Sequence, residues 1–223
     1  MVATYDASFG APMCASVAKS CTTGTQLIKG TKANVETGDS NTIDSCRDGL
    51  NGGYLADESI EMLEVSGKDG IELQAGGIAV VSAQVWAYSG PSVDFADIYY
   101  TADATAQPPV WTFLGTSSPS SGGMFTISTE YILPNNPIQA VRVNFRYYGS
   151  RSSCEGGSWG DTDDLVFTVS PLTGNLPRQE PMPMPMPGIP NPSSCDLHVT
   201  QDRCDDTGGL CYWKNRGRGC IAA

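Results

Sequence analysis

Through the first 170 residues, apolar positions recur every second residue in short runs, and no amphipathic helical stretch separates them. The clearest run covers residues 139–147. There Val141, Val143, Phe145 and Tyr147 share one face, and Arg142, Asn144 and Arg146 share the other. This alternation predicts a strand with one buried and one wet face. In residues 78–88, Val81, Ala83, Val85 and Ala87 line one face, while Ser82, Gln84, Trp86 and Tyr88 line the opposite one. That run is entered through Gly76-Gly77 and left through Ser89-Gly90-Pro91. Further strands are predicted over residues 59–65, 95–101, 110–114, 124–132 and 164–170, with a short N-terminal one near 3–8, about eight in all.

Composition points the same way. The 223 residues include 25 Gly and 15 Pro, which favours tight turns between short strands over long helices. The hydrophobic content of 40% is enough for a core. Successive strands without intervening helices predict an all-β fold, a jelly-roll-like β-sandwich over residues 1–170. Residues 1–57 otherwise read as irregular.

At Pro171 the composition changes. Residues 171–192 contain Pro181-Met-Pro-Met-Pro-Met-Pro187 followed by Gly-Ile-Pro-Asn-Pro192, a pattern that excludes helix and central strand. A polyproline II tether is expected, with residues 181–192 spanning on the order of 35 Å. Met182, Met184 and Met186, separated by Pro183 and Pro185, give this tether an apolar surface. A stiff spacer does not need such a surface. A segment that packs against another copy of the head does. Residues 193–223 carry Cys195, Cys204, Cys211 and Cys220 and read as a small cystine-rich module, too small to be held by burial alone.

The other four cysteines, Cys14, Cys21, Cys46 and Cys154, fall in the head. Two even sets predict two disulfide frameworks and a secreted, extracellular protein. Cys14 and Cys21 are close enough to close a small loop, which leaves Cys46 for Cys154, although four cysteines allow three pairings. No stretch approaches 18 apolar residues, so no membrane insertion is expected. Residues 1–170 hold 19 of the 24 acids and 8 of the 13 Lys and Arg, so the surplus behind the net charge of −11 sits on the head. Such a surface repels nucleic acid and suits cations.

Several short stretches carry a resemblance. They are Asp57-Glu-Ser-Ile-Glu, Ala75-Gly-Gly with Val85-Trp-Ala, Ala96-Asp-Ile-Tyr-Tyr-Thr-Ala-Asp, Gln139-Ala-Val-Arg-Val-Asn-Phe-Arg-Tyr and Gly160-Asp-Thr-Asp-Asp-Leu-Val-Phe. Together they resemble accessory domains of secreted bacterial proteins, often appended to extracellular peptidases, and stretches of secreted algal proteins. The resemblance covers roughly residues 1–170 and implies a non-catalytic β-sandwich outside the cell. This chain departs from the bacterial arrangement by carrying a Pro-Met tether and a cystine tail in place of a peptidase.

Candidate chemistry is sparse on the catalytic side. The only histidine is His198, beside the tail cysteines, and no nucleophile-elbow, zinc-protease or P-loop pattern occurs. No catalytic residue and no enzymatic activity are expected. The acids suggest Ca²⁺ instead. Asp57 and Glu58 precede an early strand, Asp161, Asp163 and Asp164 precede the last, and Asn41 and Asp44 lie nearby. Ca²⁺ takes six to eight oxygens, and clustered carboxylates need a cation. The alternative is acids that cap turns in water. Trp159, in the loop Gly156-Gly-Ser-Trp-Gly160, is the candidate for stacking on a sugar ring, whereas Trp86 and Trp111 fit sheet packing.

Two roles follow as expectations. The first is a structural subunit that polymerises with copies of itself, head to tail, into an extracellular filament or coat. The second is a calcium-dependent module that binds glycans. An accessory piece of a secreted enzyme is a third.

Overall fold

The computed structural model describes residues 1–25, 27–28, 41–154 and 157–172. Ten strands form: β1 (Thr4–Asp6), β2 (Ala11–Cys14), β3 (Ser20–Thr22), β4 (Ser59–Gly67), β5 (Ile78–Ala87), β6 (Asp94–Thr101), β7 (Trp111–Ser117), β8 (Gly123–Ile132), β9 (Ile138–Tyr147) and β10 (Asp161–Thr168). They build two sheets, six strands in the order β1-β2-β10-β9-β6-β7 and four in the order β3-β4-β5-β8. The chain changes sheet after β2, β5, β7 and β8, which is the traffic of a β-sandwich.

The alternating residues meet between the sheets. Val81, Ala83, Val85 and Ala87 of β5 join Val141, Val143 and Phe145 of β9 and Leu165 and Phe167 of β10 in one buried core. Each large aliphatic or aromatic side chain buried this way contributes about 1.5–3 kcal/mol. This core sets the register. Shifting β9 by one residue would place Arg142, Asn144 and Arg146 between the sheets.

Two disulfides hold the N-terminal segment. Cys14 ends β2 in the larger sheet and bonds Cys21 in β3 of the smaller, so the bond ties the two sheets together. Cys46 bonds Cys154 across 108 residues. A closure of that length is worth about 4–5 kcal/mol in the chain-entropy account.

Three expectations need correction. The N-terminal region contributes three short strands where one was expected. Its segments β2 and β3 are too short to show a period, and they form only because β10 and β4 offer partner edges. The last strand starts three residues earlier than predicted, so Asp161 and Asp163 lie inside β10 with Asp164 and not in a loop before it, since β9 pairs with them along their whole length. Finally, the polar face of β9 is not wet. Arg142 and Asn144 are fully buried and Arg146 nearly so. Beyond Leu172 the tether residues Met182, Pro183, Met184, Pro185 and Met186 lie outside the described residues. So do Cys195, Cys204, Cys211 and Cys220 of the tail.

Candidate functional site

One end of the sandwich gathers aromatic rings and carboxylates. In the antiparallel register, Asp94 at the start of β6 lies opposite Tyr147 at the end of β9. The next residue, Tyr148, takes a positive φ of 50° and its N–H donates to the Val93 carbonyl. Adjacent residues of a strand point to opposite faces, but this turn swings the two tyrosine rings to 4.5 Å, edge to face. Trp159 packs edge-on against Tyr147, with centroids 5.8 Å apart. Trp159 and Tyr148 remain 42% and 50% exposed, so the rings form an open shelf and not a core.

Beneath the shelf the groups are acidic. The Asp94 Oδ2 accepts the N–H groups of Ser89 and Gly90, which aims its other oxygen inward. Glu58 meets the Asp94 carboxyl directly. Burial first, then this contact with Asp94, pushes the Glu58 carboxyl up to about 8. Glu58 Oε1 and Asp94 Oδ1 are both buried, and no donor reaches either except the other carboxyl. Next to them lies a pocket lined by Asp48, Gly49, Gly52, Gly53, Glu58, Gly160 and Asp161. Backbone amides orient two of its acids. Thr162 N–H donates to Asp48 Oδ1 at 2.9 Å, and Ile60 N–H donates to Asp161 Oδ2 at 2.6 Å.

Two glycines of the pocket wall, Gly49 and Gly52, stand where there is no room for a side chain. A Cβ on Gly49 would lie 2.4 Å from the Ser158 carbonyl carbon, and one on Gly52 would lie 2.9 Å from the Trp159 carbonyl oxygen. The segment around residues 48–53 therefore lies flat against the chain leading into β10, anchored by the Gly49 N–H to the Gly160 carbonyl at 2.7 Å.

Of the five acids read as a cation site, the structure brings Glu58 and Asp161 to this pocket and leaves Asp57 half-buried beside Glu58. Asp163 is buried on the inner face of β10, opposite Val143. Asp164 points to the other face and belongs to a different network. Both its oxygens accept from Arg142, and Oδ2 also accepts from the Ile43 N–H. Arg142 further donates to Asp44 and to the Ser153 carbonyl, and its guanidinium lies 4.1 Å from the Trp111 ring centroid. Asp164 and Asp44 are therefore structural counter-ions.

Sequence reasoning missed Asp48 and Asp94. Asp94 had a signal, because it stands in phase with the inward Ala96 and Ile98 of its own strand. Asp48 looked like one more turn residue. Among the described residues, no three His, Cys, Asp or Glu side chains close on a single point as ligands around an ion. Among the described residues no helix is long and apolar enough to cross a membrane. Compared with protein-family models and with curated proteins, the chain finds no match.

Proposed function

We propose that this chain is a non-catalytic extracellular module that grips glycans at the Tyr147–Trp159 end of its sandwich. The observation that carries this reading is the open ring shelf formed by Tyr147, Tyr148 and Trp159. Sugar rings present C–H faces that pack on aromatic rings, while their hydroxyls seek acceptors such as carboxylates. Exposed aromatic clusters on a folded domain mark interaction surfaces. Two disulfides in the head suit an oxidising compartment outside the cytosol. The test is a glycan array probed with the parent chain and with Trp159→Ala. Binding that falls about tenfold or more while the melting temperature holds supports the reading. A parent that binds no glycan, or a variant that binds as well as the parent, refutes it.

A second reading, assembly of copies into a filament or coat, is favoured by a different surface. Ile78 and Ile132 are exposed cross-strand partners, and Ile71 and Leu172 lie exposed beside the Gly76-Gly77 turn that precedes Ile78. These four apolar side chains form a patch that self-association would cover. Sedimentation across a concentration series, comparing the parent with Ile132→Ser and with Met182, Met184 and Met186 all replaced by Ser, tests it. Polymers lost in either variant support assembly. A parent that stays monomeric at every concentration removes it.

A further inference from the structure

The described strands leave four sheet edges: β1 and β7 in the larger sheet, β3 and β8 in the smaller. An edge strand carries a row of unpaired backbone N–H and C=O groups, and it accepts a further strand unless something blunts it. Three of the four edges are blunted. β1 and β3 are three residues long, and β7 is broken by a register shift against β6. β8 is not. It runs ten residues and pairs with β5 from end to end without a bulge. It contains no Pro, Lys or Arg, and its one charge, Glu130, is already matched by Lys68 at 2.8 Å.

The ladder fixes which groups face outward. The Leu133 N–H donates to the Gly77 carbonyl, so by antiparallel alternation the odd-numbered residues of β8 bond to β5. Met124, Thr126, Ser128, Glu130 and Ile132 therefore turn their N–H and C=O groups to the outer edge, and all five are exposed. Their chemistry reads the same from either end: apolar, three polar, apolar. A second β8 laid antiparallel about a two-fold axis at Ser128 sets Met124 opposite Ile132, Thr126 opposite Glu130, and Ser128 opposite its own copy. In β5, Trp86 is the partner of Met124 and Ile78 of Ile132. Across the joined sheets one row then runs Trp86 and Met124 of one copy into Ile132 and Ile78 of the other. Other registers lose this match. Sliding by two residues sets Met124 against Glu130 or Pro134, and sliding by four can set Glu130 against its own copy, where like charges repel.

We propose that β8 pairs edge to edge with β8 of a second copy of this chain, antiparallel about a two-fold axis at Ser128, joining two four-stranded sheets into one. Each of the five facing pairs exchanges two main-chain hydrogen bonds, about ten in all. The Thr126 hydroxyl donates to the Glu130 carboxylate of the other copy, and the Met124–Ile132 pairs close the two ends against water. Both copies use the same surface, so the contact closes at two copies and does not propagate. The pairing is independent of glycan binding. It rests on the reading that copies associate, and it names the contact.

The experiment is sedimentation of the full chain across a concentration series, repeated with Thr126→Pro. The Thr126 N–H points away from β5, so proline there removes a donor from the outer edge alone. The parent should reach twice the mass of the variant, while the variant stays monomeric with its melting temperature held. If Thr126→Pro does not fold, Ile132→Lys, at an exposed position, takes its place. Cysteine variants under mild oxidation read the register. Ser128→Cys stands on the axis, where facing Cα atoms lie about 5.5 Å apart, within disulfide reach, and it should form a covalent dimer. Thr126→Cys alone should not, because its own copy lies about 13 Å along the strand. Mixed with Glu130→Cys, it should cross-link. A parent that stays monomeric at every concentration overturns the pairing together with self-assembly. Association that survives Thr126→Pro, or an associating chain whose Ser128→Cys variant does not cross-link, overturns the pairing alone and leaves assembly to the patch around Ile71 and Leu172.

Discussion

The guanidinium of Arg142 is paired in parallel with the carboxylate of Asp164, Nε to Oδ1 at 2.7 Å and Nη2 to Oδ2 at 2.8 Å, with neither side chain exposed. The two residues are direct partners across β9 and β10. This fork-to-fork contact is the geometry in which a buried arginine is best satisfied. Arg142 also reaches Asp44 in the segment tied down by the Cys46–Cys154 bond, so one cation fastens that segment onto the sheet.

Arg142→Ala should therefore be severe. It leaves Asp164 buried without a counter-ion, with only the Ile43 N–H still donating to it, a loss of about 3–5 kcal/mol. Chemical denaturation read by tryptophan fluorescence measures it. A loss under about 1 kcal/mol would mean that water reaches Asp164 and the face is not sealed.

Acid should loosen the same segment. Burial opposes the charge on Asp44, but the Arg142 guanidinium and the Trp111 Nε1–H outweigh it and hold the carboxyl below its ordinary value. The stabilisation is present above about pH 4, where the unfolded chain is ionised, and is lost as pH falls through the lower folded value. Denaturant midpoints between pH 5 and 2 should decline less steeply in Asp44→Asn than in the parent. Parallel curves would show that Asp44 contributes nothing to the acid limb.

Reduction should be ordered. Cys14 and Cys21 are both buried, whereas Cys154 is exposed and bonded to buried Cys46. A thiolate reaches Cys154 without opening the core. Limited treatment with a small thiol, alkylation and peptide mass mapping should label Cys46 and Cys154 well before Cys14 and Cys21. Simultaneous labelling would mean that reduction follows global unfolding.

Close backbone approach makes its own prediction. Gly49→Ala forces the loop away from Ser158 and should cost about 1–3 kcal/mol, and it should disturb Trp159 fluorescence. Gly115→Ala, where an added Cβ meets nothing within 4 Å, should stay within about 0.5 kcal/mol of the parent. Equal effects would remove the packing argument for the pocket wall.

Much of the fold was legible from residue order. The two-residue period of β5 and β9 depends only on the extended backbone sending neighbours to opposite sides. The inward face of Val81, Val85, Val141 and Val143 was therefore readable without any knowledge of the partner strand. Glycine and proline at Gly76-Gly77 and Ser89-Gly90-Pro91 marked the ends of β5 for equally local reasons. Tertiary structure decided everything that needed a second surface. Nothing along the chain distinguishes an arginine facing water from one facing a loop. Arg142 is buried where Trp111 and the Asp44 segment cover it, and that segment is tied down by a disulfide between residues 108 apart. The acids were sorted by the same means. Asp161 and Asp164 are three residues apart and identical in chemistry, yet strand alternation sends one to the inner pocket with Glu58 and the other to Arg142 on the outer face. Whether a carboxylate meets a cationic side chain or another carboxylate depends on which distant strand lies opposite, and only the packed sheets settle that.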